Sequence, residues 1–318
     1  MYKIAKPFFI IVKTPLHAGS ETELGIVDMP IQRERHTSFP KIEASGVKGC
    51  LRDIFENKMK NGEIANSSNK DNTISLSFGS EQGDGHAGAL GFTDARILLF
   101  PIKSMKGVFA WITCPMVLER FKADLELCKN TNGISKDSLF FDEIPLDDLL
   151  NSKDNKNKCI IANKEYLEIN ENIILEEYAF EIHEKNIKKI AEFISNVIDI
   201  SEINNKLVIL SNNDFRDFVN HSTEVITRIK IKPETGTVEP GALFTEEYLP
   251  AETVMYSLVL TTPIFNKEKG RFAKTNSQSE EEILMDFFEK NVPDVIQIGG
   301  NATIGKGIAK VETWSDKK

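Results

Sequence analysis

DARILLFPIKSMKGVFAWITCPMVLERFKADLEL spans residues 94–127. Two apolar runs, DARILLFPI and GVFAWITC, flank the short polar link KSMK, which reads as a β-hairpin. Pro115 follows in the first-turn position, where its missing N–H costs nothing, and MVLERFKADLEL continues as a helix. Toward the N-terminus, SGVKGCLRDIFENKMK (45–60) repeats Val47, Leu51, Ile54 and Phe55 at helical spacing, with Ser45 as its N-cap. That helix carries Lys48 and Arg52 one turn apart. YKIAKPFFIIVKT (2–14) is an apolar-rich strand ended by Pro15. The order strand, helix, strand, strand, helix is the beginning of a ferredoxin-like unit, so the expected class is α+β.

Beyond residue 127 the pattern loosens. FFDEIPLDDLL (140–150) is acidic and NSKDNKNK (151–158) reads as a charged link, before a helix over 183–200 with Ile187, Ile190, Ala191 and Ile194 on one face. VITRIKIK (225–232) alternates with period two, which puts Arg228, Lys230 and Lys232 on one face of a strand and Ile229 and Ile231 on the other. ETG (234–236) supplies turn chemistry, so this strand is expected to end in a projecting hairpin. TVMYSLVLTTP is a further strand, and SEEEILMDFFEK a helix opened by a capping box of Ser279 and Glu282. GGNATIGKGIAKV (299–311) runs from a glycine-rich loop into a strand. A phosphate-binding P-loop needs Ser or Thr after its Gly-Lys and then a helix, so the nucleotidase reading is rejected.

Composition narrows the function classes. A chain of 318 residues with 41% hydrophobic residues buries a substantial core. MYKIAKPFFIIVKT lacks a signal-peptide cleavage pattern, and the longest apolar stretch, residues 107–118, is too short to span a bilayer, so no membrane association is expected. Cys50, Cys114, Cys128 and Cys159 have no metal-ligand spacing and read as free thiols of a reducing cytoplasm. A net charge of −9 argues against indiscriminate coating of nucleic acid. The charge is uneven, however, with residues 28–60 and 226–232 basic.

GIVDMPIQRERHT (25–37) sets Asp28 just ahead of Arg33, Arg35 and His36. From the residues alone the plain reading is an internal salt bridge of Asp28 with Arg33 or Arg35.

Four ordered blocks carry a family resemblance: residues 14–52 (TPLHAGSETELGIVDMPIQRERHTSFPKIEASGVKGCLR), 88–115, 235–259 (TGTVEPGALFTEEYLPAETVMYSLV) and 296–311 (IQIGGNATIGKGIAKV). The chain resembles the repeating backbone subunit of the type III-B (Cmr) CRISPR effector complex, of the RAMP superfamily. One departure is Gly46, where the pattern has a second serine. The resemblance implies a ferredoxin-like (RRM-like) core with large insertions and a projecting hairpin. Residues 1–130 and 255–318 would form a palm, the latter with the glycine-rich loop. Residues 131–254 would form an inserted region with a thumb hairpin at about 226–249.

It also implies a guide-RNA-binding endoribonuclease subunit that stacks with copies of itself in a helical filament, beside other Cmr subunits. Such a subunit cuts target RNA at regular intervals by metal-dependent attack of a 2'-hydroxyl. The catalytic and metal-holding residue falls on Asp28, with a divalent cation, magnesium or manganese, as cofactor. Glu246 and Tyr248 are expected to face the target, with Tyr248 as anchor of the hairpin base the alternative. Guide or target contacts are expected from His17, Arg33, Arg35 and His36, from Ser45, Lys48 and Arg52, from Arg228 and Lys230, and from Gly299, Gly300, Gly305 and Lys306. Two other functions remain: a non-catalytic guide-binding subunit of the same superfamily, and a standalone guide-processing nuclease that uses histidine and no metal.

Overall fold

The computed structural model describes residues 2–20, 27–65, 72–80, 85–135 and 157–314. The acidic stretch 140–150 and most of the charged link 151–158 lie outside the described residues. In chain order, the first half contributes β1 (Ile4–Val12), β2 (Lys41–Ile42), α1 (Ala44–Lys60), α2 (Thr73–Phe78), β3 (Leu90–Phe92), β4 (Ala95–Lys103), β5 (Phe109–Thr113) and α3 (Pro115–Asn130). The middle holds β6 (Lys158–Ile161), α4 (Lys164–Leu167), β7 (Asn172–Leu175), β8 (Tyr178–Ile182), α5 (Lys188–Ile198), α6 (Ile203–Lys206), β9 (Leu207–Ile209) and α7 (Asn212–His221). The last third is β10 (Glu224–Ile231), β11 (Val238–Tyr248), β12 (Val254–Thr261), α8 (Glu280–Asn291), β13 (Val295–Gln297) and β14 (Ile308–Thr313).

Twelve strands form one sheet, whose main path runs β13-β14-β1-β12-β4-β5-β9-β6-β8-β7. The β4–β5 hairpin and α3 with Pro115 at its start form as the sequence suggests. Their place in the sheet differs from the expectation. It is β12, 159 positions after β4 in the chain by first residue, that lies between β1 and β4, pairing antiparallel with both. Tracing β1, α1, β4, β12, α8 and β14 gives a strand-helix-strand-strand-helix-strand path whose strands stand in the order fourth, first, third, second. The second helix of that path is therefore α8, not α3. Residues between β4 and β12 supply β5 to β9, which extend the same sheet, and β10–β11, which stand apart as a two-stranded hairpin.

Side-chain alternation along β1 explains the layers. Phe8 points to one face, where its ring meets Phe288 of α8 at 5.9 Å and Phe92 at 6.2 Å, and Phe55 of α1 stacks on Phe288 at 6.1 Å. Phe9 points to the other face and meets Phe121 of α3 at 6.0 Å. Helices cover both faces of the central strands, so every residue of β12 is buried. Helix α1 buries Val47, Leu51 and Phe55 at four-residue spacing, as the pattern requires. Its cap is corrected: Glu43 occupies the N-cap position, Ser45 lies exposed in the first turn, and Asp94 Oδ1 accepts from the Ala44 N–H at 2.9 Å. The Ser279–Glu282 capping box on α8 forms in full. Among the described residues no helix is long and apolar enough to cross a membrane.

Candidate functional site

Three segments that are distant in sequence meet at the foot of the β10–β11 hairpin: the loop after β1, the end of β11, and the glycine-rich loop before β14. Asp28 sits at the exposed rim of this junction. Its Oδ2 accepts from the Thr245 N–H at 2.8 Å and from the Thr245 hydroxyl at 2.9 Å, while its own N–H donates to Thr245 Oγ1 at 3.0 Å. The Thr245 backbone N–H and hydroxyl hold the Asp28 carboxyl below the ordinary aspartate value of 3.8. Asp28 is therefore ionised at neutral pH, and its Oδ1 has no partner among the described residues.

The salt-bridge alternative for Asp28 does not form. Arg33 is committed elsewhere: Nη2 pairs with Glu247 Oε1 at 2.5 Å, and Nη1 donates to the carbonyls of Ser38 and Val219 and to Asn220 Oδ1 at 2.9 to 3.0 Å. This corrects the expectation that Arg33 follows phosphates, because its guanidinium is consumed in tying the loop to α7 and β11. Arg35 is exposed, with no ion pair among the described residues, and remains the free arginine of the loop. His36 is exposed beside Arg120, which also pairs with Glu34 at 2.8 Å.

His17 is corrected as well. It is 6% exposed, its Nδ1 donates to the Glu247 carbonyl at 2.7 Å, and its ring lies 5.6 Å from that of Tyr248. Glu246 and Tyr248, expected to face the target, are buried in the free chain, at 4% and 0% exposure. Tyr248 donates to Glu246 Oε2 at 2.5 Å and both receive bonds from Arg228, so the basic strand turns Arg228 inward rather than toward RNA. Asn301 closes the cluster by donating to Glu246 Oε1 at 2.7 Å and to the Tyr248 hydroxyl at 3.0 Å. Burial raises the Tyr248 phenol, whereas for Glu246 the bonds from Tyr248, Asn301 and Arg228 outweigh burial and lower the carboxyl. Tyr248 is thus packed at the base of the hairpin, bonded to Glu246, Arg228 and Asn301.

The glycine-rich loop supports this foot. Gly299 has φ +86, and a Cβ there would stand 2.4 Å from the His17 carbonyl oxygen, so only glycine fits. Gly300 donates its N–H to that same oxygen at 2.9 Å. Gly305 is left-handed and solvent-facing, and the Lys306 ammonium lies 5.0 Å over the Tyr248 ring. Lys230 lies farther out on the hairpin in an exposed pair with Glu239, a weak tie that leaves it free to exchange partners.

On α1, Arg52 pairs with Glu56 at 2.6 Å and donates to the Gly79 carbonyl at 3.2 Å. Lys48 has no ion pair among the described residues, and burial together with Arg52 lowers its ammonium pKa. A half-buried, unneutralised cation beside an exposed helix start favours an incoming anion. Lys48→Ala is expected to weaken RNA binding regardless of sequence and to reduce the salt dependence by about one phosphate contact. Arg52→Ala should leave that slope unchanged. Filter-binding titrations at several salt concentrations check both.

Thr245, Glu247 and Asn301 were not anticipated. Asn301 carried one signal, since Asn tolerates the left-handed backbone (φ +66) that follows two glycines. The cysteines take no part: burial pushes Cys50 up to about 11 and Cys114, Cys128 and Cys159 up to about 12, so no thiolate forms at neutral pH. No group of three or more His, Cys, Asp or Glu side chains able to hold a metal occurs among the described residues.

The RAMP superfamily model matches residues 9–310. The CRISPR system Cmr endoribonuclease Cmr4 of Pyrococcus furiosus is 40% identical over 307 residues, covering 94% of this chain and 92% of its own. The CRISPR system CMR subunit Cmr4 of Saccharolobus solfataricus is 27% identical over 342 residues, covering 99% and 98%. The crystal structure of oligomeric Cmr4 from Pyrococcus furiosus superposes with a TM-score of 0.67 at 31% identity, covering 98% of this chain and 97% of that one. A chain of the type III-B Cmr-beta complex bound to cognate target RNA shares the fold, with a TM-score of 0.73 at 22% identity and 98% coverage of each chain.

Proposed function

The chain belongs to the RAMP superfamily, and within it to the family of Cmr4 subunits; from that membership and the site geometry we propose that it is the guide-RNA-binding backbone subunit of a type III-B CRISPR ribonucleoprotein and cuts target RNA at regular intervals. Its partners are guide RNA, target RNA, further copies of itself in a filament and the other subunits of the complex. We read the β1, β4, β12, β14 path with α1 and α8 as a ferredoxin-like palm, a reading supported by its strand order. The palm is split by the inserted region, and β10–β11 is the thumb. Four free thiols support a cytoplasmic location.

One observation carries the nuclease reading. An ionised, exposed carboxylate is pinned to the thumb strand through one oxygen, the other has no partner among the described residues, and Arg35, which has no ion pair among them, is nearby in sequence. A single outward carboxylate fits a magnesium- or manganese-type site in which RNA phosphates and water supply the other ligands, because such ions are often bound through one or two carboxylates. Held by Asp28, the cation would acidify the ribose 2'-hydroxyl and offset charge on the phosphate. The protein's own part is geometric. The thumb opens the guide–target helix at one step, which frees the ribose for in-line attack, and Arg35 holds the strand. The 2'-oxygen forms a bond to phosphorus as its proton leaves to solvent, and the bond to the 5'-oxygen breaks as that oxygen takes a proton from water, leaving a cyclic phosphate and a 5'-hydroxyl.

The test is product mapping on a labelled target with guide-loaded assemblies. Evenly spaced cyclic-phosphate ends that vanish with chelator are expected. Cutting by the monomer in chelator would establish the standalone nuclease instead, and intact target with magnesium would leave the non-catalytic subunit.

A further inference from the structure

The segment that follows Asp28 is tied to one largely buried residue of the second thumb strand, Glu247. After Asp28 the chain runs extended, and every second residue reaches Glu247: Met29 accepts from the Glu247 N–H at 3.0 Å, Ile31 donates its N–H to Oε2 at 3.0 Å, and Arg33 pairs with Oε1 at 2.5 Å. Thr223, just before the first thumb strand, donates its hydroxyl to Oε1 at 2.8 Å, and His17 Nδ1 donates to the Glu247 carbonyl at 2.7 Å. One residue of the second thumb strand thus joins the Asp28 loop, the residue that leads into the first thumb strand and the segment just after β1. Its side chain is only 7% exposed.

We propose that Glu247, with Arg33 as its counter-ion, is the positioning residue that locks the Asp28 loop to the thumb, an inference that rests on the nuclease reading above. A carboxylate is required by the donor count. Three donors, from Ile31, Arg33 and Thr223, converge on two oxygens, and an amide offers one oxygen and turns its own donors toward theirs. Replacing Glu247 by Gln also strands the largely buried Arg33 guanidinium without a negative partner. Asp28 keeps its bonds to Thr245, but the segment that follows it loses its side-chain attachments. The consequence is a carboxylate of unchanged chemistry at a less certain position.

The experiment uses guide-loaded assemblies and, separately, the free protein without metal. In Glu247→Gln, single-turnover cleavage is expected to fall by about 10- to 100-fold, the usual cost of losing a group that orients a ligand, with target affinity held within about twofold. In the free protein the Ile31 amide should exchange with solvent faster than in wild type. Adding Arg33→Gln should recover part of the loss, since it removes the stranded charge; Arg33→Lys, which keeps the charge and loses the fork, gives the same exchange readout if the Gln variant does not fold. A wild-type cleavage rate, an unaltered Ile31 exchange rate, or a parallel fall of cleavage and target affinity overturns the proposal. Wild-type assemblies that leave the target intact refute the nuclease reading instead, and Ile31 exchange then still decides whether Glu247 holds the loop.

Discussion

Asp28→Asn is expected to lower single-turnover cleavage by a factor on the order of 10²–10⁴ while guide binding, assembly and target affinity stay at wild-type levels. The substitution is unusually clean here. Asparagine's carbonyl oxygen can take the place of Oδ2, which accepts from the N–H and hydroxyl of Thr245. The amide nitrogen then replaces the outward Oδ1, turning an anionic acceptor into a donor that no cation binds. The loop keeps its shape and loses its charge. Because Thr245 already lowers the Asp28 carboxyl, the group stays ionised down to strongly acidic pH, and any stability it adds is present above the unfolded value and lost only as pH falls through the lowered one. Cleavage between about pH 5 and 8 should therefore show no limb that disappears with Asp28. Target affinity and cleavage measured on one preparation check the separation, and retained cleavage in Asp28→Asn refutes the catalytic role.

The same loop shows what a sequence can and cannot disclose about a site. Asp28, Arg33, Arg35 and His36 lie within nine residues, and proximity makes all of them look like one RNA-facing surface. The partner that removes Arg33 from that surface, Glu247, is 214 positions away. Nothing local to Arg33 distinguishes it from Arg35, because the difference is made by a long-range ion pair. His17 is lost to burial in the same way, by the ring of Tyr248 and the approach of Gly299. Local chemistry fared better where the determinants are themselves local. The Ser279–Glu282 capping box, Pro115 at the start of α3 and the period-two run of β10 all depend on neighbours within a few residues, and all form.

The fold follows the same division. Each central element could be read from its own periodicity, but the neighbour of β4 could not. Hairpin logic makes β5 the obvious partner, and β5 does pair with one edge of β4; β12 takes the other edge after an excursion that also builds the thumb. Both strands are apolar, so hydrophobic pattern alone gives either one a place beside β1. Burial on both faces separates them only once α1, α8 and α3 are in position.

Removing the outer thumb should abolish the regular spacing of cuts without unfolding the protein. Beyond the Ile229↔Leu243 pair, the hairpin has no sheet neighbour, and Ile231, Val238 and Leu243 are exposed at 54%, 46% and 65%. Apolar side chains held out on a ribbon cost solubility in the free protein, and they suit insertion between bases. The foot is different, since Arg228, Glu246, Tyr248 and Asn301 form a closed polar network there and Thr245 grips Asp28. Replacing residues 230–242 by Asn-Gly would join Ile229 to Leu243 through a two-residue turn and keep every one of those foot contacts. Asp28 and its bonds to Thr245 would then be intact in a protein expected no longer to open the duplex. A continuous A-form helix does not present the 2'-hydroxyl in line with its phosphate, so the expected result is guide binding near wild type, an unchanged thermal midpoint, and cleavage reduced by about 10²-fold or more with no preferred positions. Mapping product ends on a labelled target reads all of this. Cuts at the wild-type positions and rates would mean that Asp28, not the thumb, sets the interval.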